Sequence, residues 1–158
     1  LMITMKLIDN ATVRLKAMPE SIRKRLRVVI VRNTQRLAAK VRAKLNGGVL
    51  KKRSGRLFNS IKSEMHENND GIWGEVKSVG VVYAGIHERG GRTKPHIIRP
   101  KNAKALHFMI GGKGVFAMMV NHPGSKIPKR SYLRSSLAEM RSTLRAEITE
   151  AGRPEWRG

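Results

Sequence analysis

Residues 19–45 read PESIRKRLRVVIVRNTQRLAAKVRAKL (Pro19–Leu45). Ile22, Leu26, Val29, Leu37, Val41 and Leu45 recur there at helical spacing, with Asn33 at the missing step. Pro19 suits a first helical turn, where no partner exists for the N–H it lacks, and Glu20 suits the positive helix end. Gly47 and Gly48 supply a stop. The spacing predicts a helix of about 26 residues, roughly 40 Å long at 1.5 Å per residue. Its other faces carry Arg23, Lys24, Arg25, Arg27, Arg32, Arg36, Lys40, Arg42 and Lys44, with no acid between Arg23 and Lys44. Like charges at i,i+4 weaken an isolated helix. Either these cations form a solvated face, or an acidic or polyanionic neighbour relieves them.

Upstream, residues 3–16 read as a short strand or a helix lead-in. Downstream, residues 46–56 form a Gly- and Lys-rich loop, in which Ser54 can cap a short helix through Leu57, Phe58 and Ile61. Lys62–Glu67 and Ile72–Val79 flank Asn68-Asn69-Asp70-Gly71, a hairpin-type turn between strands. Residues 81–86 end a strand or make one helical turn, and 88–94 read as a polar loop. Leu106–Ile110 and Val115–Val120 flank a glycine-rich turn, where glycine admits positive φ. Residues 121–128 read as a further loop. Met109, Met118 and Met119 are expected mainly as core fillers. Leu133, Leu137, Met140, Leu144 and Ile148 define one stripe of a final helix, ended by Gly152 and Pro154. The tail 155–158 is expected to be loosely ordered or docked on a neighbour. Long helix, strands, long helix: the class is α+β with a mostly antiparallel sheet.

The chain has 158 residues, which suits one domain over 1–158, with mobile loops at 46–56 and 88–95. Leu1–Lys6 lack the layout of a signal peptide, and no apolar run is long enough for a membrane helix. Without cysteine there are no disulfides, thiol chemistry or Cys-ligated zinc. Lys and Arg number 33 against 11 acids, a net charge of +22, so a polyanion or acidic partner is expected. Only 4% of residues are aromatic, which disfavours base stacking and favours contact with backbone phosphates.

No catalytic pattern emerges. His66, His87, His96, His107 and His122 make no H-E-x-x-H, and His87-Glu88 is a thin metal hint outweighed by ordinary histidine roles. Gly111-Gly112-Lys113-Gly114 sits in a hairpin context and not between strand and helix, as a phosphate loop would. Glu64, Glu67, Asp70, Glu75 and Glu88 are too scattered for a nuclease. No catalytic, cofactor-binding or metal residue is assigned, and no cofactor is expected.

Four patterns then occur in order. They are Ser54-Gly55-Arg56-Leu57 with Ser60-Ile61; Tyr83-Ala84 with His87-Glu88-Arg89-Gly90; Ile98 and Pro100-Lys101 with Lys104-Ala105-Leu106 and Phe108; and Pro123-Gly124 with Arg130-Ser131-Tyr132-Leu133 and Leu137. Together, over about residues 50–140, they resemble the tail-completion and neck protein family of long-tailed phages. Arg89 stands where that family usually has an aromatic, and Ser131 and Ser135 where prolines are common. The resemblance implies a virion protein made in the host cytoplasm and assembled as a ring, often sixfold, between connector and tail tube. It implies neighbours among connector, tail-terminator and tail-tube proteins, with no membrane. In such a ring Arg25, Arg32, Arg36, Lys40, Lys51, Lys52 and Arg53 would face channel DNA or acidic sites on adjacent rings. Tyr83, Glu88, Arg89, Arg130 and Tyr132 would be subunit-interface residues. Read without the resemblance, Tyr83–Glu88 is a plain strand-to-loop corner, and Lys101 and Lys104 are solvated edge lysines. The other function class is a free basic protein that packages or condenses nucleic acid.

Overall fold

The computed structural model describes residues 18–51, 53–68 and 71–154 and the backbone of 5–6. Lys52, Asn69, Asp70, most of the 3–16 stretch and the 155–158 tail lie outside the described residues. The fold is α+β, and every strand pairing is antiparallel.

Helix α1 runs from Glu20 to Ala43 and continues into a wide turn, Lys44–Gly48, in which Gly47 takes a φ of 114°. Its apolar stripe is buried as expected apart from the half-buried Val29, and Thr34 and Ala38 widen it. A short helix α2, Arg56–Asn59, leads into β2, Ile61–Glu67, which pairs with β3, Ile72–Ser78. Strand β1, Met5–Lys6, borders the far side of β3, giving the order β1-β3-β2. One sheet face packs on α1. Gly74 is required there: a β-carbon on it would overlap the Thr34 hydroxyl, so β3 lies directly against the Thr34 side chain.

Helix α4, Leu133–Ala151, lies along α1 in the opposite direction. The main core joins Leu37, Val41 and Leu45 of α1 to Ile61, Val76, Tyr132 and Leu133. A smaller cluster, Ile22, Leu26 and Ala151, closes the other end of the helix pair.

The expected polar loop at 88–94 is instead the end of helix α3, Ala84–Arg89, followed by strand β4, Gly91–Arg92. The expected loop at 121–128 holds β8, Val120–His122, and β9, Lys126–Ile127. These strands are too short and too polar to announce themselves by alternation. With β5, His96–Ile98, β6, Leu106–Ile110, and β7, Lys113–Ala117, they nest as one long hairpin: β4 on β9, β5 on β8, β6 on β7. Gly111 and Gly112 turn its tip with φ of 54° and 81°, a pair of values that only glycine adopts readily.

Candidate functional site

The body neutralises much of the charge on α1. Arg32, Arg36, Lys40 and Lys44 form a ladder at four-residue spacing, and α4 sets two carboxylates two turns apart against it. Glu147 accepts from Arg32 at 2.8 Å and Arg36 at 2.9 Å; Glu139 meets Lys40 at 2.8 Å and Lys44 at 2.5 Å. Asn33, buried on α1, also donates to Glu147 at 2.8 Å. On the other flank Arg27 bridges Glu20 and Glu67. Of the expected channel cations, Arg32, Arg36 and Lys40 therefore already have carboxylate partners inside the chain. Arg25 donates to the Arg153 carbonyl at 2.7 Å, and Lys51 and Arg53 sit exposed in the 46–56 loop. The relief that the helix requires comes in large part from α4, 95 to 115 residues away in sequence, so no local pattern revealed it.

This clamp sets a pH dependence. The Lys40 and Lys44 ammonium groups hold the Glu139 carboxyl down at about 2, against 4.5 for the free group. A carboxyl whose folded value is depressed stabilises the fold above its unfolded value and loses that contribution as pH falls through the folded one. We expect the melting temperature to fall between pH 4.5 and about 2. A Lys40→Met/Lys44→Met chain should show a shallower fall over that interval. Equal slopes for the two chains would remove the clamp from the account.

The motif pieces at 83–90 and 130–133 meet in one corner. Glu88 is only 1% exposed and accepts four hydrogen bonds. These come from the Ser131 hydroxyl at 2.7 Å and the N–H groups of Tyr132, Leu133 and Arg134 at 2.7–2.9 Å. It thus caps α4 from another helix, meeting the orphan N–H groups and the positive helix end with a full negative charge. Tyr132 is fully buried and donates to the Ala84 carbonyl at 3.2 Å; burial raises its phenol well above the ordinary range. Glu88 and Tyr132 are therefore interior residues of one chain, which corrects their assignment as subunit contacts. Nor is Glu88 a metal ligand, its oxygens being occupied. Ser131 and Ser135 bond each other across the first turn.

Tyr83, Arg89 and Arg130 do reach the surface. Tyr83 and Arg130 line a cleft of about 840 Å³ together with Lys51, Arg53, Phe58 and His87. Burial, aided by the Arg130 charge, lowers the His87 imidazole below its ordinary value.

Among the described residues, Glu64, His66 and Glu75 form the one cluster with metal-ligand chemistry. Lys77 already sits on both carboxylates, 2.6 Å from Glu64 and 3.0 Å from Glu75, where a cation would go. His66 stacks on Trp73 beside them.

No family model, curated protein or solved structure matches this chain.

The feature left without an internal explanation is the arm, residues 91–127. No residue from Gly91 to Arg130 is buried. Ile97, Ile98, Met109, Ile110, Phe116, Met118 and Met119 are exposed on it, Phe116 at 73% and Met118 at 72%. The three methionines are thus not core fillers. Both faces of the tip are apolar: Phe108 opposes Val115 on one, and His107 stacks on Phe116 on the other. An apolar strand pair read from its turn and flanking runs looks the same whether its apolar side meets the chain's own core or another surface.

Proposed function

We propose that this chain is a structural virion protein of a tailed phage. It acts as one subunit of a ring, sixfold by resemblance, at the neck or tail end. There it completes the tail and joins it to the head, beside connector, tail-terminator or tail-tube proteins. The observation that carries the reading is the arm. Seven large apolar side chains on one hairpin are left uncovered by the chain itself. A free protein rarely leaves such a surface in water, and an assembled one covers it. The ordered patterns from Ser54 to Leu137 agree with this reading, and it requires no catalysis. Subunits joined head to tail close into a ring when their rotation allows, and an arm reaching onto the next copy suits that geometry.

Electron microscopy of virions, with a tag after Gly158, tests the proposal. Label at the head–tail junction or tail end is the expected result, and label absent from virions overturns it. A Phe116→Ser/Met118→Ser chain should fold with stability within about 0.5 kcal/mol of the parent, since both side chains are exposed. The same chain should fail to enter virions. The second reading, a free protein that condenses nucleic acid, rests on the charge of +22. It gains ground if the label is absent.

A further inference from the structure

We propose that the arm is a contact element for double-stranded nucleic acid, with Arg99, Lys101 and Lys104 taking backbone phosphates. This goes beyond the ring reading and holds whether the chain acts in a ring or alone.

The hairpin register places the three residues. Ile98 faces Val120 in one ladder, and Leu106 faces Ala117 in the next. Residues 99–105 on the outgoing side therefore oppose only Met118 and Met119 on the return. The surplus chain makes a bulge halfway along the arm, and Arg99, Lys101 and Lys104 are exposed on it. Arg92, Lys94, Lys113 and Lys126 extend the charge to base and tip, so the arm carries seven cations and no acid. Indeed no acid occurs between Glu88 and Glu139.

Among the described residues none of these seven cations has an ion-pair partner, whereas every described carboxylate is engaged. Glu20 and Glu67 meet Arg27, Glu64 and Glu75 meet Lys77, and Glu150 meets Arg153. Glu139 and Glu147 hold α1, and Glu88 caps α4. A second copy therefore offers the arm's cations no free carboxylate among these residues. This distribution of described charges favours an external polyanion as the complement.

The arrangement is linear. The three paired ladders run from β4–β9 at the base to the Gly111-Gly112 tip, with cations at base, bulge and tip. Duplex DNA presents a similarly linear array of phosphates, and its major groove admits a two-stranded ribbon. An acidic protein patch would call for a compact cluster of cations instead.

The test compares two triple variants with the same charge change. Arg99→Gln/Lys101→Gln/Lys104→Gln empties the bulge. Lys62→Gln/Arg141→Gln/Arg145→Gln removes three exposed cations from the body. Binding of each full chain to a fluorescent DNA duplex is followed by anisotropy over a salt series. The bulge variant should bind roughly tenfold or more weakly at about 50 mM salt. Its slope of log K against log salt should be shallower by up to about 0.9 per lost phosphate contact. The body variant should stay close to the parent. Equal weakening of both variants, or no binding by the parent, overturns the proposal. So does polyglutamate binding more tightly than the duplex at equal charge and losing that affinity in the bulge variant, which would make the arm a dock for an acidic protein. The tag in virions is read separately, so labelled virions with an unaffected bulge variant would sink this inference and leave the ring reading standing.

Discussion

Glu88→Ala should unfold the last helix from its start. Four donors now end on this carboxylate, three of them backbone N–H groups at the N-cap and first turn of α4, and the carboxylate itself is buried. Alanine would leave the Tyr132 and Leu133 N–H groups buried without an acceptor. Each orphaned group costs about 1–3 kcal/mol, and hydrogen bonds to a charged acceptor are the stronger kind. A total loss of about 3–5 kcal/mol is expected, a large share of the 5–15 kcal/mol typical of a whole domain. Glu88→Gln keeps the shape but loses the charge facing the helix end, and should fall between the two. Urea denaturation followed by circular dichroism measures this directly. A Glu88→Ala chain within 1 kcal/mol of the parent would mean that water or a shifted Ser131 replaces the carboxylate.

Gly74→Val should be the next most damaging change. The valine β-carbon would occupy the place of the Thr34 hydroxyl, and its methyl groups would meet the Thr34 methyl. Thr34 cannot swing clear easily, because its hydroxyl donates to the Ile30 carbonyl at 2.7 Å and the side chain is buried. Either β3 lifts from α1 or the helix shifts; overpacking of this kind costs about 1–3 kcal/mol. A double-mutant cycle tests the stated contact. Thr34→Ala should recover part of the loss in the Gly74→Ala chain, since it removes the clashing hydroxyl. Strict additivity of the two changes would place the strain elsewhere.

Both changes act on contacts that join distant parts of the chain, and this separates what could be read in the sequence from what could not. The two long helices were legible because their evidence is local. Ile22, Leu26, Leu37, Val41 and Leu45 repeat at the helical period, as do Leu133 and Leu144, and all seven are buried. The hairpins at 61–78 and 106–117 were legible for the same reason, since turn residues lie between runs of strand formers.

The cation ladder on α1 was legible as an unsolved electrostatic problem, and its answer was not. Glu139 and Glu147 look like ordinary surface acids until the antiparallel packing of α4 brings them opposite Lys40 and Arg32. Glu88 is the clearest case. Its motif stood out in the sequence, yet its role depends on donors 43 to 46 residues away, which a surface reading cannot supply.

The arm shows the converse. Its turn and its acid-free composition are plain in the sequence, while its burial is not. Whether Phe116 and Met118 enter a core is decided by what packs above them, and among the described residues nothing buries them. The sequence by itself therefore determined the elements and the excess charge, because periodicity and composition are properties of short stretches. Only the tertiary structure decided which charges the chain satisfies internally and which it presents, because pairing requires two distant segments to meet in space.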